Sequence, residues 1–321
     1  MEVDRELTML KQIPDYSKLI DSFCEDCKLR GLTDETTRRY RSSLLIFAEY
    51  MSRQSREEMV DTDLQSLKDF LQYVKYERHA KHKTTENFFS AISAFFDYLV
   101  FEGVASSNIV LPFRKRYLRR YKDDFDDSQR KLLTIEEMSR YISSILDPRD
   151  RAVALLFVKT GVRRNELLSL DVDDVSWKDY SITLKPHPKR SNRTVFFDDE
   201  CAIALRRWLT VREKLNPKIK ALFVSYQSLN RLDRNGCYEA VVKYARKLGF
   251  HDSDSPRLED HFGPHCFRHF FTTWLLRNGM QREYVKELRG DRRREAVDIY
   301  HHIDREELRR SYLACVPKLG A

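Results

Sequence analysis

Residues 151–170 read RAVALLFVKTGVRRNELLSL, and this stretch determines the predicted fold. Its apolar first half predicts a helix that ends at Gly161, and a second helical pattern begins directly afterwards. Arg163 lies in the turn between the two helices, where a planar guanidinium can reach phosphate oxygens. Glu166 lies one helical turn further on, so its carboxylate either holds Arg163 in place or forms an ordinary surface ion pair.

This stretch belongs to a predicted second domain of mixed α/β structure, residues 131–321. Thr134 followed by Glu137 matches a capping box, which predicts the first helix of the domain. Short strand-like segments follow, around VDDVSWKDYSITLK and RTVFFDD, before the helical spacing returns. The sequence therefore predicts helices that surround a small β-sheet.

The first part of the chain is predicted to be a separate helical domain, residues 12–110. Apolar residues recur at helical spacing from Tyr16 to about Phe101 and predict four helices. Residues 111–130 run from a basic block into an acidic block without a sustained apolar stripe, so we interpret them as a linker. The expected fold class is mainly α with a small β-sheet.

Two groups of basic residues in this part of the chain are candidate DNA contacts. The second predicted helix begins after Thr33-Asp34, where a short polar side chain can cap it. Its basic face either binds DNA or is simply solvated. A second basic group begins the predicted linker. The candidates are Arg38, Arg39 and Arg41 on the helix, and Arg114, Lys115 and Arg116 in the linker.

The composition favours a polyanionic partner and a reducing compartment. Lys and Arg number 58 against 50 Asp and Glu, a net charge of +8, although charge alone leaves acidic proteins and membranes open. The sequence has no apolar run near the ~20 residues of a membrane helix and no secretion signal at its start, so we expect a cytoplasmic protein without a membrane partner.

The six scattered cysteines suit free thiols. Cys24 and Cys27 either pack inside a helix, the commoner outcome at this spacing, or bind a metal ion.

A second polar cluster opens a predicted helix at residues 263–276, GPHCFRHFFTTWLL. His265 and Arg268 share one helix face and offer an imidazole beside a permanent cation, which suits a phosphate. A His-x-x-Arg pair is also common on ordinary protein surfaces. The HxxxH pattern that His265 forms with His269 lacks the glutamate of a zinc protease, so no metal site is predicted here.

The third cluster is an LRGD turn, residues 288–291, followed by Tyr300. This tyrosine interrupts a polar, arginine-rich segment and precedes His301 and His302. It is either a core aromatic or a nucleophile. The local sequence leaves both interpretations open.

Together, the three clusters resemble the catalytic signature of the tyrosine recombinase, or phage-type integrase, family. That signature has an arginine in a TG-x-R-x-x-E-L turn, then His-x-x-Arg-His, then an LGH-like turn with a tyrosine nine residues later. Tyr300 is nine residues after Asp291. The resemblance covers both domains and implies a core-binding (SAM-like) domain and a catalytic domain that close as a C-shaped clamp. The LRGD turn is similar to those of archaeal integrases.

The resemblance also implies a role for each cluster. Arg163 and Arg268 would hold the scissile phosphate, with His265 hydrogen-bonding to it. Tyr300 would attack the phosphorus to form a 3′-phosphotyrosine, without a metal ion, ATP or any other cofactor. We further predict supporting roles for Glu166 and His269, and DNA contacts for Arg164 and Arg193.

The leaving 5′-oxygen needs a proton, which the resemblance assigns to a lysine on a β-hairpin. Lys189, in the predicted turn of that hairpin, is the first choice, and Lys185 on the preceding strand is the alternative. Either lysine could instead only contact the DNA backbone.

Asp291 departs from the family pattern, which has a histidine or tryptophan at this position. An ionised carboxylate only accepts hydrogen bonds and repels a nearby phosphate. We expect that Asp291 orients a neighbouring arginine or a water molecule, or that His301 or His302 supplies the missing donor.

The function implied by the resemblance is site-specific DNA recombination, by integration, excision or dimer resolution. The expected partners are double-stranded recombination sites, on which the protein would assemble as a homo-tetramer, with a monomer as the alternative when free. Two other functions remain open: a catalytically silent DNA-binding protein of the same fold, and a type IB-like topoisomerase.

The C-terminal residues 304–321 have near-helical apolar spacing and dock either on a neighbouring subunit or on their own domain.

Overall fold

The computed structural model describes residues 16–54, 62–119, 131–186, 193–255, 257–291 and 303–320. The chain forms two compact units, Met1–Asp126 and Asp127–Ala321. Within the described residues, no helix is long and apolar enough to cross a membrane. Four residues with predicted roles lie outside the described ones: Lys189, Tyr300, His301 and His302.

The first unit is built from helices that begin at polar caps. At the start of the second helix, the side chain of Thr33, in the predicted Thr33-Asp34 cap, accepts a hydrogen bond from the backbone N–H of Thr36. A π-helical turn, Tyr73–Glu77, extends the third helix. The helices are α1 (Tyr16–Leu29), α2 (Asp34–Arg53), α3 (Leu64–Gln72), α4 (His82–Phe101) and α5 (Val110–Tyr117).

Helix α4 organises the core of the first unit because apolar side chains cover much of its circumference. Phe95 packs edge-on against Phe23 of α1, with ring centroids 5.5 Å apart. Phe89 packs against Phe70 of α3 at 5.8 Å and stacks on Phe113 of α5 at 5.3 Å. Such offset and edge-on aromatic pairs stabilise a core beyond their buried area, so α4 joins the neighbouring helices into one unit.

The cysteine pair of α1 belongs to this core. Cys24 and Cys27 are 8% and 0% exposed, and both are free thiols. Burial raises the pKa of the Cys27 thiol to about 11, so the thiol stays protonated at neutral pH. Core packing, the first of the two predicted alternatives, is therefore what the structure shows.

The predicted linker, residues 111–130, is wrong at its start. Val110 and Phe113 of α5 are buried in the core of the first unit, and so is Leu118 just after the helix. Pro112 is tolerated in the first turn because N–H groups there have no acceptor within the helix. Three apolar residues are enough to pack the two turns of α5 onto the core. The linker prediction is wrong here because a helix this short needs no sustained apolar stripe.

The second unit combines helices with one small sheet, so the predicted fold class is confirmed. The predicted capping box of Thr134 and Glu137 is present at the start of its first helix. Its elements are α6 (Ile135–Ser143), α7 (Pro148–Thr160), α8 (Arg164–Ser169), β1 (Val175–Ser176), β2 (Ser181–Thr183), β3 (Thr194–Phe196), α9 (Asp199–Leu215), α10 (Arg234–Lys247), α11 (Pro264–Arg277), α12 (Arg282–Arg289) and α13 (Arg305–Cys315).

The three strands form an antiparallel sheet in the order β1-β2-β3. Val175 is opposite Ile182, which is opposite Val195 on the other side. The pairing of β2 and β3 continues for one more step, because the N–H of Leu184 donates to the carbonyl oxygen of Arg193 at 3.0 Å. This pairing fixes the backbone position of Arg193.

Helix α7 is the central helix of the second unit. Ten of its thirteen residues are buried, because α9, α10 and α11 pack around it. Gly161 ends the helix, as predicted, with a left-handed φ of 61°. The chain therefore turns directly from the buried helix into α8, which places Arg163 at the junction.

The C-terminal segment packs on its own unit, the second of the two alternatives. The hydroxyl of Tyr312 in α13 donates to the carbonyl oxygen of Lys159 at 2.9 Å. Lys159, which has no exposed surface, pairs with Glu200 and donates to Asp198 at 2.8 Å. Its ammonium also donates to the carbonyl oxygen of Pro317 at 2.6 Å. A buried ion cluster thus holds the segment beyond α13.

Candidate active site

Glu166, in the first turn of α8, is the carboxylate that joins two arginines of the candidate site. The backbone N–H of Arg163 donates to Glu166 Oε2 at 2.7 Å, and its Nη1 donates to Oε1 at 3.3 Å. Arg193 donates through Nη1 to Oε1 at 3.0 Å and through Nη2 to Oε2 at 2.9 Å. Glu166 therefore holds Arg163 in place, as one of the predicted alternatives states, and pairs bidentately with Arg193.

Arg193 does not have the exposed position of the predicted DNA contact. Arg193 is only 5% exposed, and its Nε donates to the carbonyl oxygen of Leu288 at 2.9 Å. Strand alternation gives the physical reason, because Arg193 is on the same side as Val195 and Phe197, which are both fully buried. Arg193 thus links the sheet to Glu166 and to the end of α12, and its guanidinium is already occupied.

The Glu166 cluster predicts an acid-sensitive stability. Burial alone would raise the pKa of Glu166, but hydrogen bonds from Arg193 and Arg163 outweigh it and lower the pKa to about 2, from an ordinary 4.5. A lowered folded-state pKa stabilises the fold above the unfolded-state pKa, and this stabilisation disappears as the pH falls from about 4.5 to about 2. The expected contribution is about 3 kcal/mol. Urea unfolding of the wild type and of Glu166→Gln across this pH range measures it.

The matched control for this experiment is Glu213→Gln, since Glu213 is an exposed glutamate of α9. We expect the control to follow the wild type at every pH. Glu166→Gln should lose the steep part of the pH dependence. Parallel curves for all three proteins would contradict the assignment of this pH dependence to Glu166.

The carbonyl oxygen of Arg289 is a common acceptor for the two candidate phosphate-binding arginines. Arg163 Nη1 donates to it at 3.0 Å, and Arg268 Nη2 donates to it at 2.8 Å. Arg268 Nη1 donates to the carbonyl oxygen of Gly161 at 2.7 Å. The end of α12 and the turn after α7 therefore hold the two guanidinium groups side by side through main-chain atoms.

The close packing of Gly161 predicts a large cost for its replacement by alanine. The added Cβ would lie 2.3 Å from the buried ring of Phe271, and φ is already left-handed. Overpacking and backbone strain together should lower the free energy of unfolding by about 3 kcal/mol. Gly249→Ala is the control, because Gly249 has a similar φ of +70° with open space at its Cβ. Equal losses in urea unfolding would contradict the steric explanation.

Asp291 contacts three arginines of the site, which is one of the predicted alternatives for this residue. Its Oδ1 lies 3.3 Å from Arg268 Nη2 and 3.5 Å from Arg163 Nη2, and its Oδ2 lies 3.0 Å from Arg289 Nε. Burial and the neighbouring charges of Arg163 and Arg289 lower the pKa of Arg268 to about 9. The site therefore has an excess of positive charge, which the carboxylates of Asp291 and Glu166 partly offset.

The two histidines of the second motif lie on the first turns of α11 with exposed side chains. The ring centroids of His265 and His269 are 5.1 Å apart, in an edge-on arrangement. A cavity of about 330 Å³ has Arg163, Arg164, His265 and Arg268 in its lining. An open concavity lined by cations and an imidazole suits an anionic ligand such as a phosphate.

Lys185, the alternative proton donor, is held by carboxylates. Its ammonium pairs with Asp171 and lies 3.9 Å from Asp174. Arg231 shares Asp171, with its Nη2 2.5 Å from Oδ1. Lys189, the first choice, lies outside the described residues, as does Tyr300.

The predicted basic residues of the first unit lie on two helices. Arg38, Arg39 and Arg41 are exposed on α2, but Arg41 forms an ion pair with Asp21 at 3.1 Å, so this face carries both charges. The second group is in the last turn of α5, where cations interact favourably with the helix dipole. It comprises the partly buried Arg114 and the exposed Lys115 and Arg116.

Comparison with known sequences identifies both units. A sequence model described as "Phage integrase family" matches residues 129–307. A second, described as "Phage integrase, N-terminal SAM-like domain", matches residues 19–104. Tyrosine recombinase XerC of Histophilus somni (strain 2336) is 29% identical over 233 residues, which are 71% of this chain and 73% of that protein. XerC of Oceanobacillus iheyensis is 24% identical over 314 residues, 93% of this chain and 96% of that protein.

Solved structures share the fold of this chain. XerH site-specific recombinase bound to a palindromic difH substrate, in a post-cleavage complex, has a TM-score of 0.65 at 24% identity, covering 95% of this chain and 86% of that one. The Tn1549 transposon integrase in complex with circular intermediate DNA also has a TM-score of 0.65, at 19% identity, covering 91% of this chain and 98% of that one. Both similarities extend over the two units.

Proposed function

Because the chain belongs to the phage integrase family of tyrosine recombinases, we propose that it is a site-specific recombinase that cleaves and rejoins double-stranded DNA. The observation that carries this proposal is the convergence of Arg163 and Arg268 on one acceptor, the carbonyl oxygen of Arg289. Two permanent cations that are held by main-chain atoms form a preorganised site for a phosphodiester.

In the proposed cleavage step, the hydroxyl oxygen of Tyr300 attacks the scissile phosphorus, and the bond from phosphorus to the 5′-oxygen breaks. The tyrosine loses its proton and the leaving oxygen gains one, which gives a 3′-phosphotyrosine and a free 5′-hydroxyl. Arg163 and Arg268 stabilise the negative charge on the non-bridging oxygens, and His265 adds a hydrogen bond. Attack by the 5′-hydroxyl of a second strand reverses the step, so no ATP is consumed.

The proton for the leaving oxygen is assigned to Lys189 in this proposal. Lys185 is the weaker choice because its ammonium is already paired with Asp171. A paired ammonium must first lose its carboxylate before it can approach the DNA, and a general acid works only within hydrogen-bonding reach of its target.

Double-stranded DNA is the proposed partner. Structures with the same fold contain DNA: XerH with its difH substrate, the Tn1549 integrase with circular intermediate DNA, and a lambda integrase dimer on a core site. The net charge of +8 supports the same partner. Exposed Arg38 and Arg39, with the basic end of α5, would contact backbone phosphates. The proposed assembly is a homo-tetramer on two sites in the cytoplasm.

Trapping the covalent intermediate tests the proposal. The substrate is a labelled duplex from the DNA that flanks the gene, with a nick just beyond the cleavage position, so that the short leaving fragment diffuses away. The wild type and Tyr300→Phe are incubated with it in EDTA, and SDS-resistant protein–DNA adducts are measured. Proteolysis and mass spectrometry then identify the modified tyrosine.

We expect the wild type alone to form a 3′-adduct, with the label on the peptide that contains Tyr300. An adduct in EDTA would also establish that cleavage needs no divalent metal. Binding without an adduct by both proteins, on a site of verified sequence, would instead indicate a silent DNA-binding protein. A plasmid with two sites separates the remaining alternative, since a topoisomerase would relax it without exchanging strands.

A further inference from the structure

The LRGD turn brings a third guanidinium group to the candidate phosphate site. The carboxylate of Asp291 lies within 3.5 Å of nitrogen atoms of Arg163, Arg268 and Arg289. The Arg289 contact is an ion pair without aligned geometry, because its buried Nε–H has no acceptor in hydrogen-bonding geometry among the described residues. The side chain of Arg289 is 34% exposed, so a ligand can reach part of it.

The charge of the cluster fits a phosphoryl-transfer transition state. Three arginines surround Asp291, and the fourth, Arg193, pairs with Glu166, which also contacts Arg163. The four arginines and the two carboxylates leave a formal excess of two positive charges. A phosphodiester carries one negative charge, and a second develops as the nucleophile attacks, so the full set of three arginines complements the transition state better than the ground state.

Asp291 explains how three cations can be held together before DNA arrives. Three guanidinium groups around one carboxylate repel one another strongly where water is partly excluded. One carboxylate that contacts all three guanidinium groups offsets this repulsion and fixes their positions. A carboxylate cannot itself donate a hydrogen bond to phosphate, so its useful contribution here is to orient donors.

We propose that Arg289 is a third phosphate-binding arginine of this site, and that Asp291 is the positioning residue that holds it beside Arg163 and Arg268. The inference rests on the proposed function and adds a catalytic group to it. The structure allows a clean test, because the two other arginines are anchored on the carbonyl oxygen of Arg289 and not on its side chain. Arg289→Ala removes the guanidinium and leaves that anchor in place.

The first measurement is the rate of adduct formation on the nicked duplex at saturating protein. Arg289→Ala should slow it about a hundredfold, the scale of one lost transition-state donor, while DNA affinity changes by no more than about threefold. Arg282→Ala is the matched control, since Arg282 is an exposed arginine at the other end of α12. An unchanged rate for Arg289→Ala would overturn the proposal.

A double-mutant cycle tests the positioning role of Asp291. Asp291→Asn should slow adduct formation at least as much as Arg289→Ala, because Arg289 loses its orienting partner. In the Asp291→Asn background, Arg289→Ala should then cost no more than about a further threefold. Two effects that multiply in full would show that Asp291 does not act through Arg289.

A measurement without DNA separates this inference from the proposed function. Inorganic phosphate should raise the unfolding temperature of the wild type above that in chloride of equal ionic strength, and Arg289→Ala should lose most of this rise. If the wild type forms no DNA adduct but shows this phosphate effect, the proposed function fails and the third phosphate-binding arginine stands. If adducts form equally well with and without the Arg289 side chain, the proposed function stands and the third phosphate-binding arginine fails.

Discussion

Replacing Arg268 with lysine is expected to slow formation of the covalent DNA adduct by about a hundredfold to a thousandfold. The guanidinium of Arg268 donates to two carbonyl oxygens, those of Gly161 and Arg289, and these two contacts fix its orientation. A lysine keeps the positive charge but has one compact ammonium on a flexible stem, so it cannot make both contacts and face a phosphate. Single-turnover rates on the nicked duplex measure the effect, with DNA affinity measured separately.

Arg277→Lys is the control for this substitution. Arg277 is an exposed arginine in the last turn of the same helix, α11, so the chemical change is identical and the position differs. We expect the control to react at the wild-type rate. A rate for Arg268→Lys within about threefold of wild type would mean that charge alone, without the planar fork, is sufficient.

Replacing Lys159 with methionine is expected to lower the free energy of unfolding by about 3–5 kcal/mol. The ammonium of Lys159 is fully buried and pairs with Asp198 and Glu200, of which Asp198 is 1% exposed. A methionine fills a similar volume but removes the buried cation from Asp198 and Glu200. It also removes the donor to the carbonyl oxygen of Pro317, so the C-terminal segment should become more sensitive to proteases. Urea unfolding and limited proteolysis measure the two effects.

Lys318→Met is the matched control, since Lys318 contacts the same carboxylate. Its Nζ lies 3.3 Å from Asp198 Oδ2, but its side chain is 62% exposed. Exposed ion pairs contribute roughly 0–1 kcal/mol, because water screens them and the side chain loses freedom. A similar loss for both lysine variants would argue that burial does not distinguish the two ion pairs.

Local spacing is sufficient to predict part of the candidate site. Arg163 and Glu166 are three residues apart at the start of a helix, and this separation alone brings their side chains together. The same holds for His265 and Arg268 at the start of α11. The end of α7 at Gly161 is also predictable, because glycine readily adopts the left-handed conformation that ends a helix.

Contacts between distant segments could not be predicted in the same way. The carbonyl oxygen of Arg289 holds two arginines, but every residue has such an oxygen and no side-chain pattern marks this one. The side chain of Arg289 therefore has no role predicted from the sequence. For Arg193, the sequence does contain a signal, because strand alternation puts it on the same side as the apolar Val195 and Phe197. The residue type suggested DNA, because arginine is rarely fully buried unless it is paired, and its partner, Glu166, is 27 positions away.

These long-range anchors also determine when, during synthesis, the candidate phosphate site can form. The contact of Arg163 with Arg289 spans 126 residues, and that of Arg268 with Gly161 spans 107. Large loops must close before such contacts form, and their closure costs chain entropy. A nascent chain that does not yet include the end of α12 has its first arginine motif but lacks the carbonyl oxygen that aligns it. The growing polypeptide therefore cannot assemble the candidate phosphate site until the end of α12 has been synthesised.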